Sequence, residues 1–160
     1  MEMKSFETDS KLEYKFARTI KSILGNQFIV KDINADLNAG TDFLVFRLEP
    51  IRVACRLRRF EYLKYNSDFT IRWSRPSGVD TEYQKIIKGL VDYILYGFID
   101  QAEEKIVSYF IGDLKVFRAS GVKPFRIKPN NPPDSELAIF RIKDLPENFT
   151  IKQFKGDRKG

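Results

Sequence analysis

The residues best suited to chemistry cluster in positions 40–59, GTDFLVFRLEPIRVACRLRR. The stretch reads as two strands joined by a tight turn at Leu48, Glu49 and Pro50. Successive strand side chains point to opposite faces. Asp42 therefore shares a face with Leu44, Phe46 and Leu48. In the second strand Val53, Cys55 and Leu57 form an apolar face, and Arg52, Ala54, Arg56 and Arg58 the other. One carboxylate enters the first strand and a row of guanidiniums lines the second. Guanidiniums suit phosphate contact, and a carboxylate suits a hard cation. Each residue also has a plainer reading. Asp42 caps a strand end and bonds a turn, while Arg56 and Arg58 pair with carboxylates in a structural ion network. Arg47, Arg52, Arg59, Arg72 and Arg75 extend the candidate phosphate-contact set.

Composition narrows the chemistry. The chain has no histidine, which excludes Ser-His-Asp and Cys-His catalysis and any histidine-ligated metal. A metal would need oxygen ligands, which points to magnesium, manganese or calcium. The single cysteine, Cys55, falls on the apolar strand face and reads as core. A net charge of +6 favours polyanions, and nucleic acid is the first expected partner. Trp73 and Tyr65 either stack on bases or fill a core. No run approaches the ~18 apolar residues of a membrane span, and the first residues lack a signal-peptide apolar core. The expectation is a cytoplasmic protein with no membrane partner.

The elements that must position these residues follow from pattern. Leu12, Phe16, Ile20, Ile23 and Leu24 recur at helical spacing, so residues 9–24 are expected to be an amphipathic helix ended by Gly25 and Asn26. Residues 27–31 are a short strand candidate. DFTIRW, residues 68–73, alternates as another strand, and SRPSG is a loop. Asp80 or Thr81 opens a long helix expected to run to about Gly97 or beyond, because Ile86, Ile87, Leu90, Tyr93, Ile94 and Leu95 give a broad apolar face. VSYFI and LKVF around Gly112 and Asp113 predict a strand, a turn and a second short element. Residues 121–133 hold four of the seven prolines, which excludes a long helix there. Late strands are expected near residues 137–142 and 148–154.

This order of a helix, a run of strands, a helix and a closing strand resembles the PD-(D/E)xK nuclease-like fold over residues 9–118. The resemblance implies an α+β (α/β-like) domain with a central mixed sheet of about four to five strands flanked by two helices. It further implies a restriction-endonuclease-like core over residues 1–120. A proline-rich, irregular extension over residues 121–160 packs on that core or extends it. In that superfamily an Asp begins the second core strand, and an acidic-x-Lys triplet on the third helps bind magnesium and position water. Asp42 matches the Asp. The triplet position reads Ala54–Cys55–Arg56, which lacks the acid and replaces lysine with arginine. Some members carry the missing acid on the following helix, where Glu82 sits, and some use a carboxylate of the first helix, where Glu13 sits. The implied magnesium or manganese ligands are then Asp42, Glu82 and Glu13, with Lys85 standing in for the missing lysine beside Arg56. The segments TDFLVFR, ACRLRR, FTIRW, TEYQKIIKG and YGF also look similar to small bacteriophage proteins.

Three functions compete. The first is a magnesium-dependent endonuclease in which arginines stabilise the developing charge. The second is a nucleic-acid-binding descendant without catalysis, with Arg52, Arg56, Arg58, Arg59, Arg72 and Arg75 as its contacts. The third is an interaction module whose partner is a second copy of the chain or a phage protein. A divalent ion bound between Asp42 and Glu82 would favour the first, a continuous basic groove without converging carboxylates the second, and arginines buried against carboxylates with a large exposed apolar patch the third.

Overall fold

A computed structural model describes residues 12–28, 50–131 and 133–156. The chain is α+β. Helix α1 (Ala17–Phe28) continues a helical turn over residues 12–15. Strand β1 (Val53–Arg58) is followed by a 3-10 helix (Phe60–Tyr65) and β2 (Asp68–Ser74). Then come α2 (Glu82–Ile87), β3 (Tyr93–Ile99), β4 (Ile106–Asp113) and α3 (Leu114–Ser120). Strands β5 (Arg126–Pro129), β6 (Glu136–Arg141) and β7 (Thr150–Lys155) complete the series among the described residues.

The strands form two sheets. The first has the order β1-β3-β4-β7, and the second β2-β6-β5. β1 and β3 run parallel, and every other pair is antiparallel. β3, YILYGFI, is buried along nearly its whole length because it is covered on both faces. Leu95 and Ile99 face α1, where they pack with Leu12, Phe16, Ile20, Leu57 and Ile111. Ile94, Tyr96 and Phe98 face the second sheet, where Phe69, Ile71 and Phe140 meet Phe110, Phe117 and Phe149. Phe69 is the hub of that aromatic core. It stacks on Phe140 at 5.6 Å and on Phe149 at 5.7 Å, and meets Phe110 edge-on at 5.5 Å.

The edge of β2 is sealed by side chains of β3 and α2. The Thr70 N–H donates to the Tyr96 hydroxyl at 3.4 Å, and the Arg72 N–H to Glu82 Oε2 at 2.9 Å. Gly112 lies under Phe149, and a Cβ added there would sit 2.8 Å from the ring's Cε2.

Several expectations change. The helix opening at Thr81 has the expected cap, with Thr81 Oγ1 accepting from the Gln84 N–H and the Gln84 side chain returning to the Thr81 N–H. It stops after Ile87, because Gly89 takes a left-handed φ of 73°, and residues 93–99 form the central strand instead. Gln27 and Phe28 belong to α1 and not to a strand, so the helix passes Gly25 and Asn26. The strand over residues 68–73 joins the second sheet and not a single central one. The two late strands expected near residues 137–142 and 148–154 are present as β6 and β7, and the segment read as irregular adds β5 to them: β7 pairs with β4, and β6 bridges β2 and β5. Asp42, Arg47 and the first strand of the expected hairpin lie outside the described residues.

Candidate functional site

The arginine row of β1 does emerge on one face, opposite Leu57, but its members have different fates. Arg56 reaches across to α2 and forms an ion pair with Glu82. Its side chain is only 24% exposed. Burial opposes its charge, and the Glu82 carboxylate overrides that and raises its pKa. Both Glu82 oxygens are engaged, Oε1 by Arg56 and Oε2 by the Arg72 N–H. Arg52 is held by Asp92, with Nη2 donating to the Gly89 carbonyl at 2.9 Å. Arg59 lies 3.6 Å from Glu103. Arg75 is half-buried in the loop after β2, and Lys85 is exposed on α2.

Glu13 accepts the Leu57 N–H at 3.0 Å on the α1 side of the first sheet. Burial and Glu13 together push the Cys55 thiol up to about 11, so it stays protonated and unreactive at neutral pH. A magnesium or manganese ion needs several converging oxygens. Among the described residues no group of three acidic, histidine or cysteine side chains is placed to hold a metal ion. Glu82 is occupied by cationic and N–H donors, so the described residues do not fit a divalent ion there.

Arg58 leads elsewhere. Its guanidinium lies 4.4 Å from the ring centroid of Tyr62 and lines a cavity of about 260 Å³. Strand alternation explains the cavity. Phe69, Ile71, Ala138 and Phe140 point into the core, so Asp68, Thr70, Ile139, Arg126 and Lys128 fall on the other face of the second sheet. Thr70, Ile139 and Arg126 sit in one cross-strand row. Tyr96 and Phe98 of β3 supply the buried inner wall, and Tyr62, Tyr65 and Phe125 the exposed rim. Tyr65 and Phe125 are 54% and 57% exposed, although both are large and apolar. A cation sits by each rim ring: Lys64 is 5.1 Å from Tyr65, and Arg141 4.1 Å from Phe125. Trp73, by contrast, packs against Tyr83 at 4.2 Å.

Among the described residues one acid, Asp68, lines the cavity beside Arg58, Arg126 and Lys128. Burial raises the Asp68 pKa, Arg141 opposes the rise, and Asp144 adds to it. At the inner wall the Thr70 and Tyr96 hydroxyls are 3.1 Å apart and share a hydrogen bond. The arrangement offers stackable rings, three cations and a small hydrogen-bonding patch.

Of the expected contact residues, Arg58 and the stacking candidate Tyr65 reach this cavity. Phe125, Arg126 and Lys128 were missed because they follow Pro124 in the segment read as irregular. The signal was FRIK, where two cations alternate with an isoleucine. No family model, curated protein or solved structure matches the chain. Among the described residues no helix is long and apolar enough to cross a membrane.

Proposed function

We propose that this chain binds nucleic acid without cleaving it, through the outer face of the β2-β6-β5 sheet. The observation that carries the reading is the cavity where Arg58, Arg126 and Lys128 surround exposed aromatic rings. Cations neutralise phosphates and rings stack on bases, the combination that single-strand binding requires. The net charge of +6 supports the same partner. The commitment of Glu82 to Arg56 and Arg72 argues against a metal-bound water as nucleophile. On this reading the chain corresponds to the binding-only alternative of the nuclease-like resemblance.

The test is anisotropy of labelled single- and double-stranded DNA and RNA across a salt series. Three phosphate contacts on a single strand predict a log–log salt slope of about −2. Arg126→Ala should make that slope shallower. Absence of binding at low salt would end the reading. Cleavage that needs magnesium or manganese and disappears in Asp42→Asn would restore the endonuclease.

A further inference from the structure

We propose that the cavity beside Tyr65 and Phe125 receives one unpaired guanine, with Asp68 reading its Watson–Crick edge and Arg126 and Lys128 holding the adjoining phosphate. The inference rests on the nucleic-acid reading and names the substrate class of the same site.

The size fits first. At about 260 Å³ the cavity lies near the ~300 Å³ lower end of small-molecule pockets, room for one base and not for a base pair. The walls fit next. Phe98 and Ile139 are apolar, and the rim rings Tyr65 and Phe125 are exposed and offer π-faces. A base inside a duplex cannot present its ring face to them, so the ligand must be unpaired.

The polar groups then choose the base. A carboxylate is acceptor-only and has two oxygens. Guanine is the one common base whose pairing edge carries two adjacent N–H donors, the ring N1–H and the exocyclic amine. Adenine and cytosine offer an amine beside an acceptor nitrogen, and that nitrogen would face a carboxylate lone pair. Uracil and thymine offer one N–H between two carbonyls. Asp68 lines the cavity with its carboxylate in no hydrogen bond among the described residues. The Thr70 and Tyr96 hydroxyls, which can donate or accept, stand at the inner wall for a guanine carbonyl. Arg126 and Lys128 then meet the phosphate at the mouth.

The shared chemistry is a guanine bearing a 5′-phosphate, carried either by a strand or by a free nucleotide. The test uses a pyrimidine 12-mer with a single central guanine, the same strand with inosine there, the all-pyrimidine strand, the guanine strand annealed to its complement, and free guanosine 5′-monophosphate. The guanine strand should bind about tenfold tighter than the inosine strand, which lacks only the exocyclic amine. Asp68→Asn should erase that difference. Tyr65→Ala and Phe125→Ala should each weaken guanine-strand binding by about tenfold with an unchanged Tm, since both rings are exposed. The nucleotide competing as well as the strand would support the pocket and identify a free nucleotide as its source. Equal binding of guanine, inosine and pyrimidine strands would overturn the guanine pocket and leave the nucleic-acid reading standing, as would equal binding of the duplex. No binding by any strand or nucleotide would overturn both.

Discussion

Arg56 of β1 and Glu82 of α2 form an ion pair whose carboxylate also accepts the Arg72 N–H of β2, so one acid joins three elements and both sheets. Removing either partner leaves the other charge half-buried and the β2 edge altered. Arg56→Ala should cost about 1–3 kcal/mol in urea unfolding at neutral pH. The oligonucleotide salt slope of the folded variant should equal that of the native chain. A shallower slope at unchanged stability would move Arg56 into the phosphate-contact set.

Among the described residues Asp68 is the one acid that lines the cavity, and its charge opposes an incoming phosphate. Asp68→Asn should tighten binding of an all-pyrimidine strand by about two- to fivefold, the size of one solvent-screened charge interaction. The native chain should show the same gain with acid. Burial raises the Asp68 pKa, so its charge is lost at a higher pH than for an ordinary carboxylate, against the pull of Arg141 and Lys143 and with the help of Asp144. Affinity for that strand should therefore rise as pH falls through the carboxylate range, and Asp68→Asn should flatten the rise. The check is anisotropy at fixed salt across pH.

Gly112 has no room for a side chain, since Phe149 covers it. Phe149 is fully buried in the aromatic core and cannot swing away. Gly112→Ala should destabilise by about 1–3 kcal/mol, lowering Tm by roughly 2–10 °C for a chain of this size. A smaller ring substitute, Phe149→Leu, should be less costly in the Gly112→Ala background than in the native one. Additive costs would show that the two residues do not press on each other.

The Arg52–Asp92 pair predicts a modest acid dependence. The Arg52 guanidinium and N–H bond to Asp92 and hold its pKa below the ordinary carboxylate value. A carboxylate depressed on folding stabilises above its unfolded pKa of about 3.9, and that contribution fades as pH falls through the lower folded value. Arg52 is 52% exposed, so screening limits the effect to a few tenths of a kcal/mol. Asp92→Asn should be slightly less stable than the native chain at pH 7 and equal to it well below pH 4. Urea titrations of both proteins at several pH values give the comparison.

The local patterns were legible where one physical cause dominated. The amphipathic spacing of Leu12, Phe16 and Ile20 announced a helix, and DFTIRW a strand. Asp80 or Thr81 announced a helix start, and the capping box places it at Thr81. The helix end was misread because a short amphipathic helix runs into a strand buried on both faces. Ile86 and Ile87 from one, and Tyr93, Ile94 and Leu95 from the other, add up to a false helical stripe. Gly89 was the discriminating residue. The cavity was illegible because its walls come from β1, the 3-10 helix, β2, β3, β5 and β6. Nothing local in the sequence says that Tyr65 and Phe125 are neighbours. The arginine row was legible as a row, but which of its members met a carboxylate depended on where α2 packed.

The Tyr96 hydroxyl and the Glu82 carboxylate also act as guards against polymerisation. An edge strand with open N–H groups is a template on which another chain can zip. β2 is apolar on its core face and would make such a template. Its N–H groups at Thr70 and Arg72 are already spoken for by side chains of β3 and α2. At the opposite margin β5 is short, carries Arg126 and Lys128, and ends at Pro129, each a known obstacle to strand addition. The three-stranded sheet is thereby closed to β-sheet growth at both ends, while its outer face stays open to a ligand.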